Sequence, residues 1–588
     1  MRTPPLPRSQ ALAFKGLSIT GLVWSTSING RASIIGAGVL TALVASTVTI
    51  QVTFGGLTAQ TAVTAVPRFA GTAIYVSTSG LDTNAGTEFS PVRTIQRGVT
   101  LANQANTAGN DALVSIGAGV YREAVTIGSL STTRTLTLEG AGASTVLTGT
   151  DDWSTGWTLQ GDDLHVHSWP YRWGTKPVPR GWDSYWNWDG NGYKRDILRR
   201  SEMVYVNGQP LRGVLTPAEL STAGTFYVDE TIGRLHLRLP SGVAMAGSLV
   251  EVGIRVSPLL VDGRRHVTLR NFAVMRNRGA VQDAAVQLSN AQNVVVDGLQ
   301  VRWTAYTGLA TASISELHIS SSIFSDNGVY GIGGYRNLTV LMDASEVARN
   351  NWRGWPAEHK GFDSVHKWVE SRDVTLRRSR FIDNWGHGVW FDGDNQRVVV
   401  EDIVSSGNHL HGAYFELNTG PITLQKSKIC ANGQGGVGNA RSNDLRILSN
   451  QIFGNQYWQI FSTGSATVLP MTDWQTGRTS VVSTSDWTIS GNTVVGGASA
   501  GPLPNECYPG PCGWVFWAPE ADQFGYIQRT LTADENRWYH ASTTKSFAVP
   551  SVLGTAVDGA TFRALMSEVK PNEIHSTWGN PGALACTP

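Results

Sequence analysis

A short unit made of two apolar strands recurs along the middle of the chain and constrains the fold more than any other feature. Each copy has an alternating apolar strand, a small polar step and a second strand that ends in Asn or Gly, as in VTLRRSRFIDN from Val374 and VVVEDIVSSGN from Val398. Most successive copies start roughly two dozen residues apart, which is the period of a repeat architecture. The copies start at Val267, Val294, Leu317, Leu338, Val374, Val398, Ile422, Leu445 and Trp487.

Strand units of this length predict an all-β solenoid, the right-handed parallel β-helix. One coil cannot bury its apolar face alone, whereas stacked coils bury it together. Asparagines at equivalent turn ends predict a ladder of side chains that satisfies the backbone groups of the turns. A leucine-rich horseshoe would need a regular Leu scaffold, and a propeller blade would need about twice this period. The predicted ladder residues are Asn327, Asn384, Asn408 and Asn455.

Charge and composition narrow the range of functions. The chain has 46 Lys and Arg against 45 Asp and Glu, so it lacks the basic footprint of a nucleic-acid-binding protein. Only 15% of its residues are charged, while 65 are Gly and 21 are Trp. This composition favours a turn-rich β protein with aromatic surfaces.

The N-terminus has the pattern of an export segment. Basic residues between Arg2 and Arg31 precede a charge-free stretch whose most apolar part spans 34–50. The small residues at 63–65 offer a cleavage site, so we predict a signal peptide, with an uncleaved membrane anchor as the alternative. Either interpretation predicts a protein that is secreted or anchored to the cell envelope, with any membrane contact made only through this segment.

An aromatic-rich stretch interrupts the solenoid pattern and predicts a small β insertion beside the groove. Its rings could stack on the apolar faces of sugars. The predicted segments are a basic N-terminal region (1–33), the signal-peptide core or membrane anchor (34–56), a linker (57–70), the N-terminal cap and first coils (71–150), the insertion (151–253), the main β-helix (254–500) and a last coil with a C-terminal cap (501–588).

The start of the solenoid carries a family resemblance. The stretch YVSTSGLDTNAGTEFSPVRTIQRGVTLANQAN from Tyr75 predicts a strand, a loop and a short amphipathic helix, and the first coils follow it. This arrangement resembles the N-terminal cap of the pectate-lyase-like superfamily of β-helices, over roughly residues 75–497. The resemblance implies fold more than activity.

The four cysteines fit an oxidising compartment. Cys507 and Cys512 close a small loop, and we expect a disulfide between them. Cys430 lies in an apolar strand and is predicted to be a buried free thiol. The sequence assigns no partner to Cys586.

Polar and aromatic residues concentrate between 351 and 418. Aligning Gly388 with Gly412 stacks VWFD over AYFE and places Asp392 over Glu416. Because neighbouring strands lie about 4.8 Å apart, two carboxylates in register would be roughly 5–6 Å apart, close to the separation in a retaining glycosidase. Strand alternation predicts outward side chains for Trp390, Asp392, Tyr414 and Glu416.

Two more residues are candidates for the chemistry. Asp394 lies one alternation beyond Asp392, is expected to face the same side and is the alternative catalytic carboxylate. Lys367 could orient the substrate or lower the pKa of a neighbouring acid. The predicted substrate-binding residues are His366, Trp368, Trp390, Asn395, His411, Tyr414, His387 and Trp355.

Five histidines crowd the same region and make a metal site conceivable. No spacing typical of metal ligands is present, so we assign no metal. These residues are His359, His366, His387, His409 and His411.

The cluster also carries a second resemblance. It consists of a Lys on one coil, an Asp-x-Asp-Asn run on the next coil and a Glu on the third. In this sequence these are Lys367, residues 392–395 and Glu416. This pattern resembles a group of bacterial β-helix proteins and, among enzymes, β-helix glycoside hydrolases such as β-xylosidases and fucose- or xylan-active enzymes. The resemblance implies a glycoside hydrolase with an Asp/Glu pair on adjacent coils and a poly- or oligosaccharide substrate.

Two other function classes fit the same fold. A polysaccharide lyase or uronate epimerase would use Lys367 with a nearby basic residue, and a lyase could add Ca²⁺ as a cofactor. The cluster lacks the Asp-Pro-His-Asp run of alginate epimerases. A glycan-binding or structural surface protein would use the solenoid as a rod, and it requires no pair of carboxylates in register.

Overall fold

Three long parallel sheets, here called sheets I, II and III, run along the molecule, and each regular coil contributes one strand to each sheet. Every strand pairs with its counterparts in the coils before and after it, as Arg372–Arg377 pairs with Leu338–Asp343 and Gln396–Glu401. The computed structural model describes six strands within residues 9–65 and then residues 69–161, 163–181, 183–186, 195–353, 366–462, 468–497, 513–518, 521–541, 546–548 and 557–586.

Sheets I and II carry the two strands that the sequence repeat predicts. Sheet I consists of Thr72–Val76, Ala112–Ile116, Leu136–Glu139, Arg265–Arg270, Gln292–Asp297, Ser315–Ser320, Leu338–Asp343, Arg372–Arg377, Gln396–Glu401, Ile422–Gln425, Leu445–Leu448, Thr488–Ser490 and Thr532–Asp534. Sheet II consists of Gly119–Arg122, Thr145–Thr148, Ala273–Met275, Gln300–Arg302, Ile323–Ser325, Glu346–Ala348, Arg380–Ile382, Val404–Ser406, Lys428–Cys430, Gln451–Phe453, Thr493–Gly496 and Arg537–His540.

Sheet III closes each coil and carries the polar-aromatic cluster. Its inward side chains, such as Phe391 and Phe415, join one continuous apolar core with those of the other two sheets. Sheet III consists of Val125–Ile127, Leu259–Asp262, Ala284–Ser289, Thr307–Ala312, Tyr330–Tyr335, His366–Val369, Val389–Asp392, Ala413–Glu416, Gly435–Ala440, Trp458–Ser462, Trp514–Trp517 and Phe547–Ala548.

The turn from sheet I to sheet II has a constant form from Arg265–Arg270 onward. Two residues separate the strands, as Arg378 and Ser379 do between Arg372–Arg377 and Arg380–Ile382. The first of the two has a positive φ, which is 48° at Arg378. The second is buried, as Ser379 is. This fixed turn keeps the two strands of every coil at the same angle.

An asparagine ladder stabilises the turn from sheet II to sheet III, as predicted. The backbone N–H and the side-chain amide of Asn384 both donate a hydrogen bond to the side-chain oxygen of Asn408, at 3.3 and 2.9 Å. Asn350 and Asn432 are further rungs beyond the four predicted from the sequence. The ladder runs through Asn327, Asn350, Asn384, Asn408, Asn432 and Asn455.

A helix covers the N-terminal end of the solenoid. It spans Ile95–Thr107, and the Thr94 side chain accepts a hydrogen bond from the backbone N–H of Arg97 at its first turn. Its buried face packs on the first coils, which protects the open end of the stack. Within the described ranges the other helices are Asp183–Trp186, Ala521–Thr530 and Gly559–Met566, and short 3₁₀ turns span Gly142–Ser144, Ile197–Arg199 and Pro217–Ser221.

Two small sheets form between the first and second parts of the solenoid, one antiparallel and one mixed, in which Arg212–Gly213 pairs in parallel with Thr225–Asp229. Their aromatic rings pack against one another, as Tyr171 and Trp173 do with centroids 4.8 Å apart, and Trp169 is only 2% exposed. These rings therefore build the insertion's own core. The strands are Thr150–Asp152, Val250–Gly253, Val204–Val206 and Gln209–Pro210 in one sheet, and Thr158–Gln160, Leu164–Ser168, Arg234–Arg238, Thr225–Asp229 and Arg212–Gly213 in the other.

Further strands lie outside the solenoid and the insertion. A hairpin of Leu469–Thr472 and Thr479–Val482 projects from one coil. Within the part of the chain that the structure describes, no helix is long and apolar enough to cross a membrane. The strands of the N-terminal region are Ser9–Ala11, Val23–Thr26, Ala32–Ile34, Val39–Ala42, Ser46–Phe54 and Leu57–Ala65.

The prediction of a free thiol at Cys430 is wrong. Cys430, on sheet II, forms a disulfide with Cys586, which lies 156 residues away in the sequence. The sequence pattern around Cys430 shows burial, and burial alone does not show pairing. The predicted disulfide between Cys507 and Cys512 lies outside the described residues.

Removal of this disulfide is expected to destabilise the C-terminal cap. Cys586→Ser should lower the free energy of unfolding by about 2–5 kcal/mol, because the long closed loop no longer restricts the unfolded chain. Thermal unfolding by circular dichroism measures the effect. Under reducing conditions the wild type and the variant should melt alike, and a difference that persists in reductant would contradict this explanation.

Candidate active site

Three neighbouring strands of sheet III carry the candidate site. Lys367 pairs with Trp390, which pairs with Tyr414 in the next coil. Asp392 pairs with Glu416, so the predicted register of the two carboxylates is confirmed. These residues alternate with Phe391 and Phe415, which point into the core, and therefore face the outside of the coil.

The Asp392 carboxylate is held by a cation. Its Oδ2 lies 2.7 Å from Nζ of Lys367, and both side chains are largely buried. The same ammonium lies 3.7 Å from the centre of the Trp390 ring. Lys367 is thus fixed between an acid and an aromatic face, and its charge orients the carboxylate.

Glu416 lies in a different environment from Asp392. Burial raises its pKa to about 7, and the nearby charge of Asp392 adds to this rise. The charges of Lys367 and Arg441 act in the opposite direction. Two adjacent carboxyl groups, one paired with a cation and one retaining its proton near neutral pH, are the arrangement that general acid catalysis beside a nucleophile requires.

Two histidines and a tyrosine form a wall beside the carboxylates. The His387 ring stacks on Tyr414, with centroids 5.0 Å apart and planes 5° from parallel, and lies 4.9 Å from His411. Burial lowers the pKa of His387 well below its ordinary value and that of His411 to about 3, so both imidazoles are neutral at pH 7. Nδ1 of His411 accepts a hydrogen bond from the backbone N–H of Gly435.

His387 offers an unused polar atom. Its Nδ1 is buried and has no hydrogen-bond partner among the described residues. An unpaired buried polar group costs about 1–3 kcal/mol. Since Nδ1 is also out of contact with solvent, this cost belongs to the folded wall itself.

His366 and Trp368 lie elsewhere than predicted. Both are fully buried and point into the coil, because Lys367 between them points outward. The indole N–H of Trp368 donates to Nε2 of His366 at 2.7 Å, and burial lowers the pKa of this histidine to about 3. The prediction that they contact substrate is therefore wrong for this geometry.

Asp394 also turns away from the site. The strand ends at Asp392, and Gly393 and Asp394 both have positive φ values, 65° and 51°, which reverse the chain. The Asp394 carboxylate forms a buried ion pair with Arg372 at 2.6 Å. This correction leaves Asp392 as the carboxylate that stacks on Glu416.

Asn395 belongs to a second ladder. Its backbone N–H and its side-chain amide both donate to the side-chain oxygen of Asn418, at 3.0 and 2.8 Å. Since it is fully buried in this ladder, its predicted contact with substrate is not made.

Other predicted residues are placed as follows. Trp355 and His359 lie outside the described residues. His409 stacks on Trp385, with centroids 3.7 Å apart, away from the carboxylates. Among the described residues no group of three or more His, Cys, Asp or Glu could hold a metal ion.

Sequence reasoning missed Arg441. It follows Ala440, which pairs with Glu416 in the next coil, and its charge lowers the pKa of that acid. Extending the coil alignment by one more repeat, to GVGNAR, would have placed this cation beside the pair.

Comparison with known proteins identifies the architecture. A family model described as a right handed beta helix region matches residues 257–502. The chain is a right-handed parallel β-helix protein. A search of curated proteins gives no match.

Solved structures with similar folds include XylC in complex with xylose. This β-helix protein shares 14% identity with XylC at a TM-score of 0.57, over 81% of this chain and 86% of XylC. The A-module of the mannuronan C-5 epimerase AlgE6 of Azotobacter vinelandii matches at 14% identity and a TM-score of 0.45, over 82% of this chain and 95% of the module. At these identities the likeness to XylC is one of fold.

Proposed function

We propose that the protein is an exported carbohydrate-active enzyme, a retaining glycoside hydrolase that acts on an oligo- or polysaccharide. The observation that carries the proposal is the pairing of Asp392 with Glu416 on adjacent strands of one outward face. Strand spacing sets their carboxyl groups about 5 Å apart, as in retaining enzymes. The fold that the chain shares with a protein solved with xylose supports a sugar as ligand.

Export is supported by two separate features. The basic and then apolar N-terminal sequence has the pattern of a secretion signal. The disulfide between Cys430 and Cys586 suits an oxidising compartment.

The pair would divide the reaction into two steps. In the first step Glu416 donates its proton to the glycosidic oxygen while Asp392 attacks the anomeric carbon, so that the glycosidic C–O bond breaks and the leaving sugar departs as an alcohol. In the second step the Glu416 carboxylate takes a proton from water, whose oxygen attacks the anomeric carbon and breaks the bond to Asp392. The product keeps its anomeric configuration.

The surrounding groups support this assignment. Lys367 holds the Asp392 carboxylate at 2.7 Å and stabilises its charge when it is released. Tyr414 is half-buried and is the aromatic side chain at the surface beside the carboxylates, whereas Trp390 is fully buried and supports Lys367 from below.

A product assay on a panel of neutral and acidic glycans tests the proposal. We expect the wild type to release reducing ends with retention of configuration, which proton NMR detects, and Glu416→Gln to release far fewer. A product with near-ultraviolet absorbance would show an unsaturated sugar and a lyase. Epimerised but uncleaved chains would show an epimerase, and no change in any glycan would leave a non-catalytic surface protein.

The pH dependence of the activity follows from the raised pKa of Glu416. Because the acid works only in its protonated form, kcat/KM should fall as pH rises through about 7. Lys367→Met should move this fall to higher pH, because the charge of Lys367 lowers the pKa of Glu416. The pH at which kcat/KM falls is measured for the wild type and the variant between pH 4 and 10 with an aryl glycoside. An unchanged or lower pH for this fall in Lys367→Met would contradict the assignment.

A further inference from the structure

A row of aromatic rings continues from the candidate site toward the C-terminal coils. In the register of sheet III, Tyr414 is followed by Gly438, Phe461 and Trp517 on successive strands. At the strand spacing of sheets, Trp517 lies about 14 Å from Tyr414 along the solenoid axis. The row therefore extends the outward face that carries the two carboxylates.

Glycines shape this row. A Cβ atom at Gly438 would lie 2.2 Å from Cζ of Phe461, and one at Gly435 would lie 2.3 Å from its Cε1. Because glycine has no side chain at either position, the Phe461 ring can lie over the coil that contains Gly435 and Gly438. It is stacked on Tyr414 at 6.2 Å and lies 4.5 Å from His411.

Beyond Phe461 the rings become accessible. Trp458 lies 5.0 Å from Phe461 and 4.9 Å from Trp517, and Tyr457 lies 5.6 Å from Trp458. Tyr457, Trp458 and Trp517 are half-buried, and none of the three belongs to the core inside the coils. Through Phe461 they are continuous with the candidate site, and part of each side chain is open to solvent.

The chemistry of these strands favours an uncharged ligand. Residues 455–462 and 513–518 contain no Asp, Glu, Lys, Arg or His. Flat aromatic rings bind the apolar faces of sugars, whereas a uronate carboxylate would need a cation to pair with. Residues 455–462 and 513–518 provide no cation that could pair with a uronate carboxylate.

We propose that Tyr457, Trp458 and Trp517, here called the aromatic strip, bind the sugar units of an uncharged oligosaccharide beyond the bond that is cleaved. The proposal rests on the proposed function and makes it more specific. The substrate lies along the solenoid axis and extends from the carboxylates toward the C-terminal coils. Chain length is therefore part of what the enzyme recognises.

The dependence of kcat/KM on chain length tests the strip. With aryl glycosides of one, two and four neutral sugars, we expect the wild-type kcat/KM to rise with length. Trp517→Ala should lose roughly tenfold on the longest substrate, which corresponds to about 1.4 kcal/mol for a lost ring contact, and progressively less on shorter ones. Trp385→Ala is the matched control, because this tryptophan is 49% exposed and stacks on His409 outside the strip.

Two results would overturn the proposal. A loss of equal size on all lengths would mean that Trp517 only stabilises the fold. If kcat/KM stopped depending on substrate length in Tyr335→Ala and not in Trp517→Ala, the oligosaccharide would extend toward the N-terminal coils, where Tyr335 is 43% exposed. Circular dichroism melting of each variant separates misfolding from either result.

A binding experiment separates this proposal from the proposed function. The same neutral oligosaccharides are titrated into Glu416→Gln and into Glu416→Gln with Trp517→Ala, and calorimetry measures the Kd. Roughly tenfold weaker binding in the second variant supports the strip, even if the wild type hydrolyses nothing. Equal binding, or binding of none of them, contradicts it whatever the hydrolysis assay shows.

Discussion

Asp392→Asn is expected to lower kcat/KM by about a thousandfold or more on any glycoside that the wild type hydrolyses, because the amide cannot form the glycosyl ester. Such a loss corresponds to about 4 kcal/mol of transition-state stabilisation. The substitution keeps the size of the side chain. It therefore tests the chemistry of the group more than the packing around it.

A matched control and a chemical trap sharpen this test. Asp373→Asn removes a carboxylate whose side chain is 47% exposed and paired with Arg397 on sheet I, so its activity should match the wild type. A mechanism-based glycoside inactivator should label the wild type on the peptide that contains Asp392, as mass spectrometry shows. A label elsewhere, or more than a tenth of the activity left in Asp392→Asn, would reject the assignment.

Asp394→Ala is expected to destabilise the fold strongly while Asp392 remains in place. Removing one partner of a buried ion pair typically costs about 3–5 kcal/mol. The side chains of Arg372 and Asp394 are 0% and 2% exposed, and Asp394 also accepts hydrogen bonds from Gln396 and Thr419. Because Asp473 stays beside Arg372, we expect the lower end of that range, about 3 kcal/mol.

Urea unfolding followed by circular dichroism measures this loss. Asp444→Ala is the control, because Asp444 pairs with Arg446 at the surface and such pairs contribute about 1 kcal/mol or less. If the two substitutions lowered the free energy of unfolding equally, the buried pair would stabilise the fold no more than the surface pair does. Loss of activity in Asp394→Ala without loss of stability would return Asp394 to the list of catalytic candidates.

The register of the site could be predicted because it follows from periodicity. Side chains alternate along a strand and coils repeat at a nearly constant length, so aligning Gly388 with Gly412 was sufficient to stack Asp392 on Glu416. Applied one coil earlier, the same alternation places Lys367 outward and its two neighbours inward. This rule, and not the polar-aromatic composition of the strand, places His366 and Trp368 in the core.

Other features depend on contacts that periodicity does not encode. Gly393 marks the end of its strand, yet only the left-handed conformation at Asp394 shows that the chain turns toward Arg372. The pairing of Cys430 with Cys586 joins residues far apart in the sequence. The raised pKa of Glu416 requires its burial and its neighbours to be known together.

The constant turn between sheets I and II has a consequence for how such a chain can diversify. From Arg265–Arg270 onward this turn never exceeds two residues, and the long segments lie instead on the two borders of sheet III, before His366–Val369 and before Thr488–Ser490. Those borders surround the carboxylate pair. A descendant of this chain can therefore acquire new specificity by exchanging rim loops, while the strands that carry the carboxylate pair beneath them are inherited intact.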